Sequence, residues 1–279
     1  MNARALVLWS AGALLVDLAT SDPVYRALLA LAALDVLAAL TPPARPLRPT
    51  LLAAAWLAGL AVLWNVLLSH TGTHVLARLP GAWPLVGGPL TLESAAYGAT
   101  AGLGIAGAVL AVAPISLVLE PHDLLDALPA SLGRSGLALA AALNLVPGIA
   151  RNATAIRDAE RLRGWRPRGP RAWADLLVPT MLSALEDACT LAEAMEARAY
   201  GTLARTRYRA FRWHARDTLA LAAAALATSL FLTARLAGWP LDWEPYPALT
   251  LPAVDPRLVG ACLLFALPAL RWPSSASSD

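Results

Sequence analysis

Lysine is absent from all 279 residues, and each of the 22 lysine-or-arginine positions is arginine. That absence closes off whole mechanisms. A Walker A loop needs its lysine on the β- and γ-phosphates, so the chain is not a conventional P-loop ATPase, and Schiff-base chemistry is equally excluded. Charge of either sign is scarce, at 15% of residues, against roughly 25% in soluble domains. Cysteine is nearly missing: Cys189 and Cys262 fall in different segments, with no disulfide framework or metal ribbon between them. Both read as small apolar fillers. His70 and His74 are four residues apart, but Gly72 lies between them and no third ligand is near, so no metal site is expected.

The residues present are mostly apolar. Hydrophobic residues make up 58% of the chain, and the mean hydropathy is +0.56. The apolar residues come in long runs, and about 20 such residues let a helix cross a bilayer core. With Pro and Gly clusters taken as helix ends, spans are predicted near 5–20, 24–40, 50–69, 91–118, 217–237 and 256–270, the last one short. Arg4 followed by an apolar run has the outline of a signal peptide. The run ends at Asp17 and Ser21-Asp22-Pro23 without a small-residue cleavage site, so a retained first helix is expected. The fold class expected is an all-α polytopic membrane bundle of about six spans.

Arginine placement orients that bundle, because short cytoplasmic loops carry the basic excess. If six spans alternate, Arg4, Arg45, Arg48, Arg271 and the 119–216 region share one side, and Asp242, Glu244 and Asp255 lie on the other. Both termini are therefore predicted cytoplasmic, in the plasma membrane of a prokaryote, with short outer loops. Trp83, Trp239 and Trp243 sit beside span ends, where aromatic rings favour the headgroup level. This gives three regions: N-terminal spans over 1–118, a cytoplasmic or membrane-surface region over 119–216, and C-terminal spans with a tail over 217–279.

The middle region holds 14 of the 22 arginines and is too polar to span. Leu124, Leu125, Leu128 and Leu132 recur at helical spacing and predict an amphipathic surface helix. A second helix is expected from near Leu137 to Gly164, and a third from about Ala172 to Ala199. The third places Leu182, Leu185, Cys189, Ala192 and Met195 on one face and Glu186, Glu193 and Glu196 on another. Both helices end on an arginine followed by a small residue and an aromatic: Glu160-Arg161-Leu162-Arg163-Gly164-Trp165 and Glu196-Ala197-Arg198-Ala199-Tyr200. An arginine in a last turn complements the helix dipole by about 0.3–1 kcal/mol, and glycine is a common cap just beyond it. The repetition, with an acidic residue just upstream each time, points beyond capping.

The segment 90–202 resembles the transmembrane T component of energy-coupling factor (ECF) transporters, the family that includes the cobalt-uptake Q-type permeases. The resemblance rests on Pro121-His122-Asp123-Leu124-Leu125-Asp126-Ala127-Leu128-Pro129, on Leu145-Val146-Pro147, and on two signatures. These are Ala159-Glu160-Arg161-Leu162-Arg163-Gly164 and Ala194-Met195-Glu196-Ala197-Arg198-Ala199-Tyr200-Gly201, in which Leu162 and Ala199 replace the usual alanine and glycine. The resemblance implies long cytoplasmic coupling helices whose tips sit in grooves of two ABC-type ATPase subunits, where Arg163 and Arg198 pair with acidic groups. Leu162, Gly164, Ala197, Ala199, Glu160 and Glu196 complete the expected site. It also implies a separate membrane-embedded substrate-binding S subunit for a vitamin or transition metal, and no cofactor or catalysis on this chain.

Other readings have less behind them. Gly133-Arg134-Ser135-Gly136 has the outline of an intramembrane serine-hydrolase motif, but no histidine base falls inside a convincing span. A permease of another ATP-driven class would line its own substrate path with polar groups, and the spans offer little beyond Asp17, Asp35, Asn65 and Asn144. The run Arg205-Thr206-Arg207-Tyr208-Arg209-Ala210-Phe211-Arg212-Trp213 interleaves aromatics with cations. Directly before a span it reads as an anchor to the anionic bilayer surface, not as a nucleic-acid contact. Gly98, Gly102, Gly104 and Gly107 in the fourth span form a small-residue pattern open to either a partner helix or internal packing.

Overall fold

Apolar runs become helices here because a backbone in hydrocarbon must satisfy its own hydrogen bonds. The computed structural model describes residues 2–42, 45–80, 87–119, 133–165, 171–199 and 213–270. Its elements are α1 (Ala3–Ala19), α2 (Pro23–Leu40), α3 (Arg48–Leu68), β1 (Val75–Arg78), β2 (Pro89–Thr91), α4 (Leu92–Val118), α5 (Gly133–Leu162), α6 (Arg171–Ala197), α7 (Ala215–Leu236) and α8 (Pro256–Leu264), with a 3-10 turn after α8 at Leu267–Ala269. Helices α2, α3, α4 and α7 are long and apolar enough to cross a membrane, and the Pro256–Ala269 segment is shorter. Helix α1 has 17 residues. The protein is thus an all-α membrane bundle, its six apolar helices lying where the apolar runs put them. The predicted surface helix at 123–132 falls outside the described residues.

The chain divides into two units, residues 1–120 with 212–279, and residues 121–211. In the first unit, short side chains set the helix ends. Asp22 caps α2 by accepting from the Val24 N–H at 2.8 Å, with Pro23 in the first turn, and Asp255 caps α8 in the same way through the Arg257 N–H, with Pro256 following. Such a cap contributes about 1 kcal/mol, and proline is preset for the first helical position. The core is alanine-rich with a few aromatic anchors. Trp9 is fully buried, donates to the Phe265 carbonyl at 3.1 Å and meets the Phe265 ring edge-on, while Tyr25 meets Phe231 edge-on. The segment after α7 folds back under the α1–α2 turn, where buried Leu241 accepts from the Ser21 N–H and the Thr20 hydroxyl.

The glycines of α4 are occupied by internal packing. A Cβ on Gly98 would stand 2.9 Å from the Val62 Cα, and one on Gly102 would stand 2.8 Å from the Ala58 carbonyl oxygen, so both sit against the α3 backbone. Gly104 faces the Arg26 guanidinium of α2, and Gly107 faces the Asp17 carboxylate of α1. Arg26 itself donates to the carbonyls of Thr20 and Thr100, tying α2 to the end of α1 and to α4. These glycines therefore form the internal seam and are not open to a partner helix. Most of α3 away from that seam is exposed, including Trp56, Leu63 and Trp64, as lipid-facing positions are.

The loop between α3 and α4 is more structured than a short outer loop. β1 and β2 pair antiparallel, with Ala77 opposite Leu90 and a bulge between Val75 and Ala77. Glu93, in the first turn of α4 and fully buried, draws the loop in. It accepts from the Thr73 hydroxyl (2.9 Å) and the backbone N–H groups of Thr73 and His74, and lies 2.8 Å from the His74 ring nitrogen. His74 is thus a partner of a carboxylate, and the His70 ring packs over Gly88.

Candidate functional site

Helices α5 and α6 form the described part of the second unit. Side-chain bonds fix their relation. Asn152 donates to Asp187 at 2.7 Å and to the Ser183 hydroxyl at 3.2 Å, and the Trp165 indole donates to Asp175 at 3.3 Å. Advancing from Asn152 to Trp165 on α5 takes the partner back from Asp187 to Asp175 on α6, so the helices run antiparallel. The half-buried positions mix small, polar and apolar residues: Leu145, Ile149, Asn152, Ala153 and Ile156 on α5, and Leu176, Thr180, Ser183, Ala184, Ala188, Leu191 and Met195 on α6. The apolar positions Val178, Met181, Leu182 and Leu185 are instead more than half exposed, and Cys189 is exposed as well. Cys189 is therefore not a core filler, whereas Cys262 is fully buried.

The end of α5 is built by its sequence. After Leu162 the chain turns left-handed at Gly164, whose φ is +84°. The Trp165 N–H then bonds to the Glu160 carbonyl (3.0 Å) and the Gly164 N–H to the Arg161 carbonyl (3.0 Å), which is the Schellman arrangement. Arg163 is the last residue before the left-handed one. Its side chain is 76% exposed and pairs with Glu160 at 3.0 Å. An exposed pair three residues apart is worth about 0.2–0.5 kcal/mol, so the guanidinium is easily transferred to a better carboxylate. Beside it, Leu162 is 91% exposed, an apolar side chain without cover on a charged tip.

The end of α6 repeats the same geometry with a different residue. Ala199 takes φ +50°, and its N–H bonds to the Glu196 carbonyl at 2.8 Å. Arg198, Glu196 and Ala197 are all exposed there. A non-glycine residue in this region costs about 1–2 kcal/mol, and Ala199 keeps the conformation regardless. Replacing Ala199 with glycine should remove that strain, slowing amide exchange in the last turn of α6 about fivefold, equivalent to about 1 kcal/mol. Gly164→Ala should do the reverse at α5.

A third helix end puts the arginines in context. Helix α7 closes with Gly238 at φ +72° and a Trp239 N–H to Ala234 carbonyl bond, yet the residue before its left-handed glycine is Ala237. The cap alone therefore does not require arginine at that position, which Arg163 and Arg198 occupy.

The two tips are not brought together. Arg163 lies at the α5–α6 turn, beside the start of α6, whereas Arg198 comes after the far end of that 27-residue helix. At 1.5 Å rise per residue, roughly 40 Å of helix separates them. The eight expected site residues thus fall into two clusters: Glu160, Leu162, Arg163 and Gly164 at one end, and Glu196, Ala197, Arg198 and Ala199 at the other. Sequence reasoning missed the exposed stripe from Val178 to Leu185 as a feature separate from the hairpin seam. Its signal was the occurrence of Ser183, Ala184 and Asp187 between the large apolar residues.

An apolar helical bundle and a charged hairpin with two exposed arginine-bearing ends place the chain among membrane-embedded helical proteins. The family described as cobalt transport protein, CbiQ, matches residues 4–208, and the chain belongs to that family. The match extends well N-terminal of the 90–202 segment whose motifs carried the resemblance. The chain is similar to proteins named energy-coupling factor transporter transmembrane protein EcfT. That of Streptococcus thermophilus is 38% identical over 104 residues, 35% of this chain and 39% of the relative. That of Listeria innocua is 36% identical over 107 residues, 36% of this chain and 40% of the relative. That of Lactococcus lactis subsp. cremoris is 28% identical over 135 residues, 42% of this chain and 51% of the relative. These alignments span about two fifths to one half of the relatives' own length.

Proposed function

We propose that the chain is the energy-coupling T subunit of an ECF-type ABC importer, and that the tips at Arg163 and Arg198 dock two ATPase subunits, one each. The observation that carries this reading is the repetition of one built tip: an exposed arginine immediately before a left-handed cap, at the C-terminal ends of α5 and α6. A spacing of roughly 40 Å along a helix suits two separate grooves better than one. Arginine suits the task because its planar fork holds a carboxylate bidentately and stays charged. Leu162 adds an apolar anchor beside Arg163.

In this reading, ATP binding draws the two ATPases together and their grooves carry the hairpin tips with them. A packed antiparallel hairpin transmits such motion as a body, since packed interfaces shift between discrete arrangements and do not deform smoothly. The exposed stripe of Val178, Met181, Leu182 and Leu185 is assigned to a membrane-embedded S subunit that holds the substrate, a vitamin or a transition metal ion. An apolar patch of that kind on a charged element marks an interaction surface. No chemistry is assigned to this chain, and ATP is hydrolysed on its partners. Both termini and the 119–216 coupling region lie in the cytoplasm in this assignment, with spans over 1–118 and 217–279, in keeping with the arginine excess.

Leu162 offers a direct test. In detergent, the chain co-expressed with the ATPase pair of its own genome should retain both subunits, and Leu162→Asp should lower retention at least tenfold, because a carboxylate would replace a buried leucine worth about 2 kcal/mol. Undiminished retention by Leu162→Asp would show that Leu162 anchors nothing.

A further inference from the structure

Within the first unit, the end of α2, the first half of α7 and the α8 segment border a cavity of about 720 Å³ that is open to the surface. Leu40, Leu226, Leu264 and Leu267 line it, and small residues such as Ala223 on α7 leave its volume open. Its lining holds a single basic residue, Arg216, which is exposed and has no ion pair among the described residues. Asp217 lines the cavity too, without an ion pair to Arg216. That carboxylate is buried and accepts from the backbone N–H groups of Asn2 and His214, each at 3.2 Å. The cavity therefore joins apolar walls to an arginine that makes no ion pair with a described residue, on a protein whose helices lie in lipid.

We propose that this cavity binds an anionic phospholipid, with one acyl chain between α2, α7 and α8 and the phosphate on Arg216. Apolar walls alone accept any acyl chain, so the selectivity comes from the guanidinium, which meets a phosphate oxygen pair bidentately. The site is independent of the transporter reading, since neither helix tip takes part in it.

Native mass spectrometry of the purified full chain in detergent tests this, using phosphatidylglycerol and phosphatidylcholine with identical acyl chains. Phosphatidylglycerol should be retained about fivefold better. Arg216→Gln should reduce that preference to parity while leaving phosphatidylcholine binding unchanged, and Arg216→Lys should restore part of it. Ala222→Phe, which fills the cavity from an exposed lining position, should lower retention of both lipids. Thermal unfolding within a few degrees of the parent shows that each variant is folded, and the lysine variant decides the charge question if the glutamine variant is not. Equal retention of the two lipids overturns the proposal. So does a preference that survives Arg216→Gln, or Ala222→Phe without effect. Competition by millimolar inorganic phosphate would also overturn it, marking a free-anion site.

Discussion

Gly102→Leu should detach α3 from the bundle and lower the thermal unfolding temperature in detergent by more than about 10 °C, an overpacking effect at the top of the usual range. A Cβ at Gly102 already stands 2.8 Å from the Ala58 carbonyl oxygen and 3.2 Å from the Ala58 Cα, and neither atom moves without the helix. Overpacking a core usually costs about 1–3 kcal/mol when side chains can shift, and here a backbone must shift instead. Helix α3 has its extensive helix contact with α4 among the described residues, so it has little else to hold it. In lipid, helices associate through close packing, not through a hydrophobic drive, which makes a small-residue seam decisive. Gly59 supplies the control from the same pair of helices, since nothing lies within 4 Å of where its Cβ would be. Gly59→Leu should unfold within a few degrees of the parent. Equal effects of the two substitutions would show that α3 is held by something other than this seam.

How much of this was legible in the sequence differs by element. The apolar helices were, because a span announces itself by length and composition without reference to its neighbours. Their ends were nearly so, since Asp22-Pro23 and Asp255-Pro256 are local start signals. The β1–β2 pair was not, because its pairing depends on Glu93 gathering Thr73 and His74 from about 20 residues away. The glycines of α4 pointed to close approach but could not name the partner, which is α3 at Gly98 and Gly102 and the polar groups Arg26 and Asp17 further along. At the candidate site, the identity of each tip residue was readable from the signatures. That Ala199 adopts the left-handed conformation of a glycine was not. Nor was the separation of the two tips, which stems from the antiparallel register set by Asn152, Asp187, Trp165 and Asp175.

Reversing the charge of both tip arginines should remove the ATPases altogether. Arg163 now faces a half-buried carboxylate of its own helix, Glu160, and is itself largely exposed, so little native-state stability depends on it. In a partner's groove the same group would be desolvated against acidic side chains, where a like charge costs several kcal/mol per contact. Two such contacts multiply, so the double variant should lose far more than either single one. The caps at Gly164 and Ala199 are built on backbone hydrogen bonds and should survive the substitution. The decisive measurement is co-purification of the detergent-solubilised chain with its cognate ATPase pair, comparing the parent with Arg163→Glu, Arg198→Glu after both are shown to insert. The parent should retain both ATPases and the double variant neither; equal retention by the two proteins would contradict the coupling role and leave the arginines as helix-end residues only.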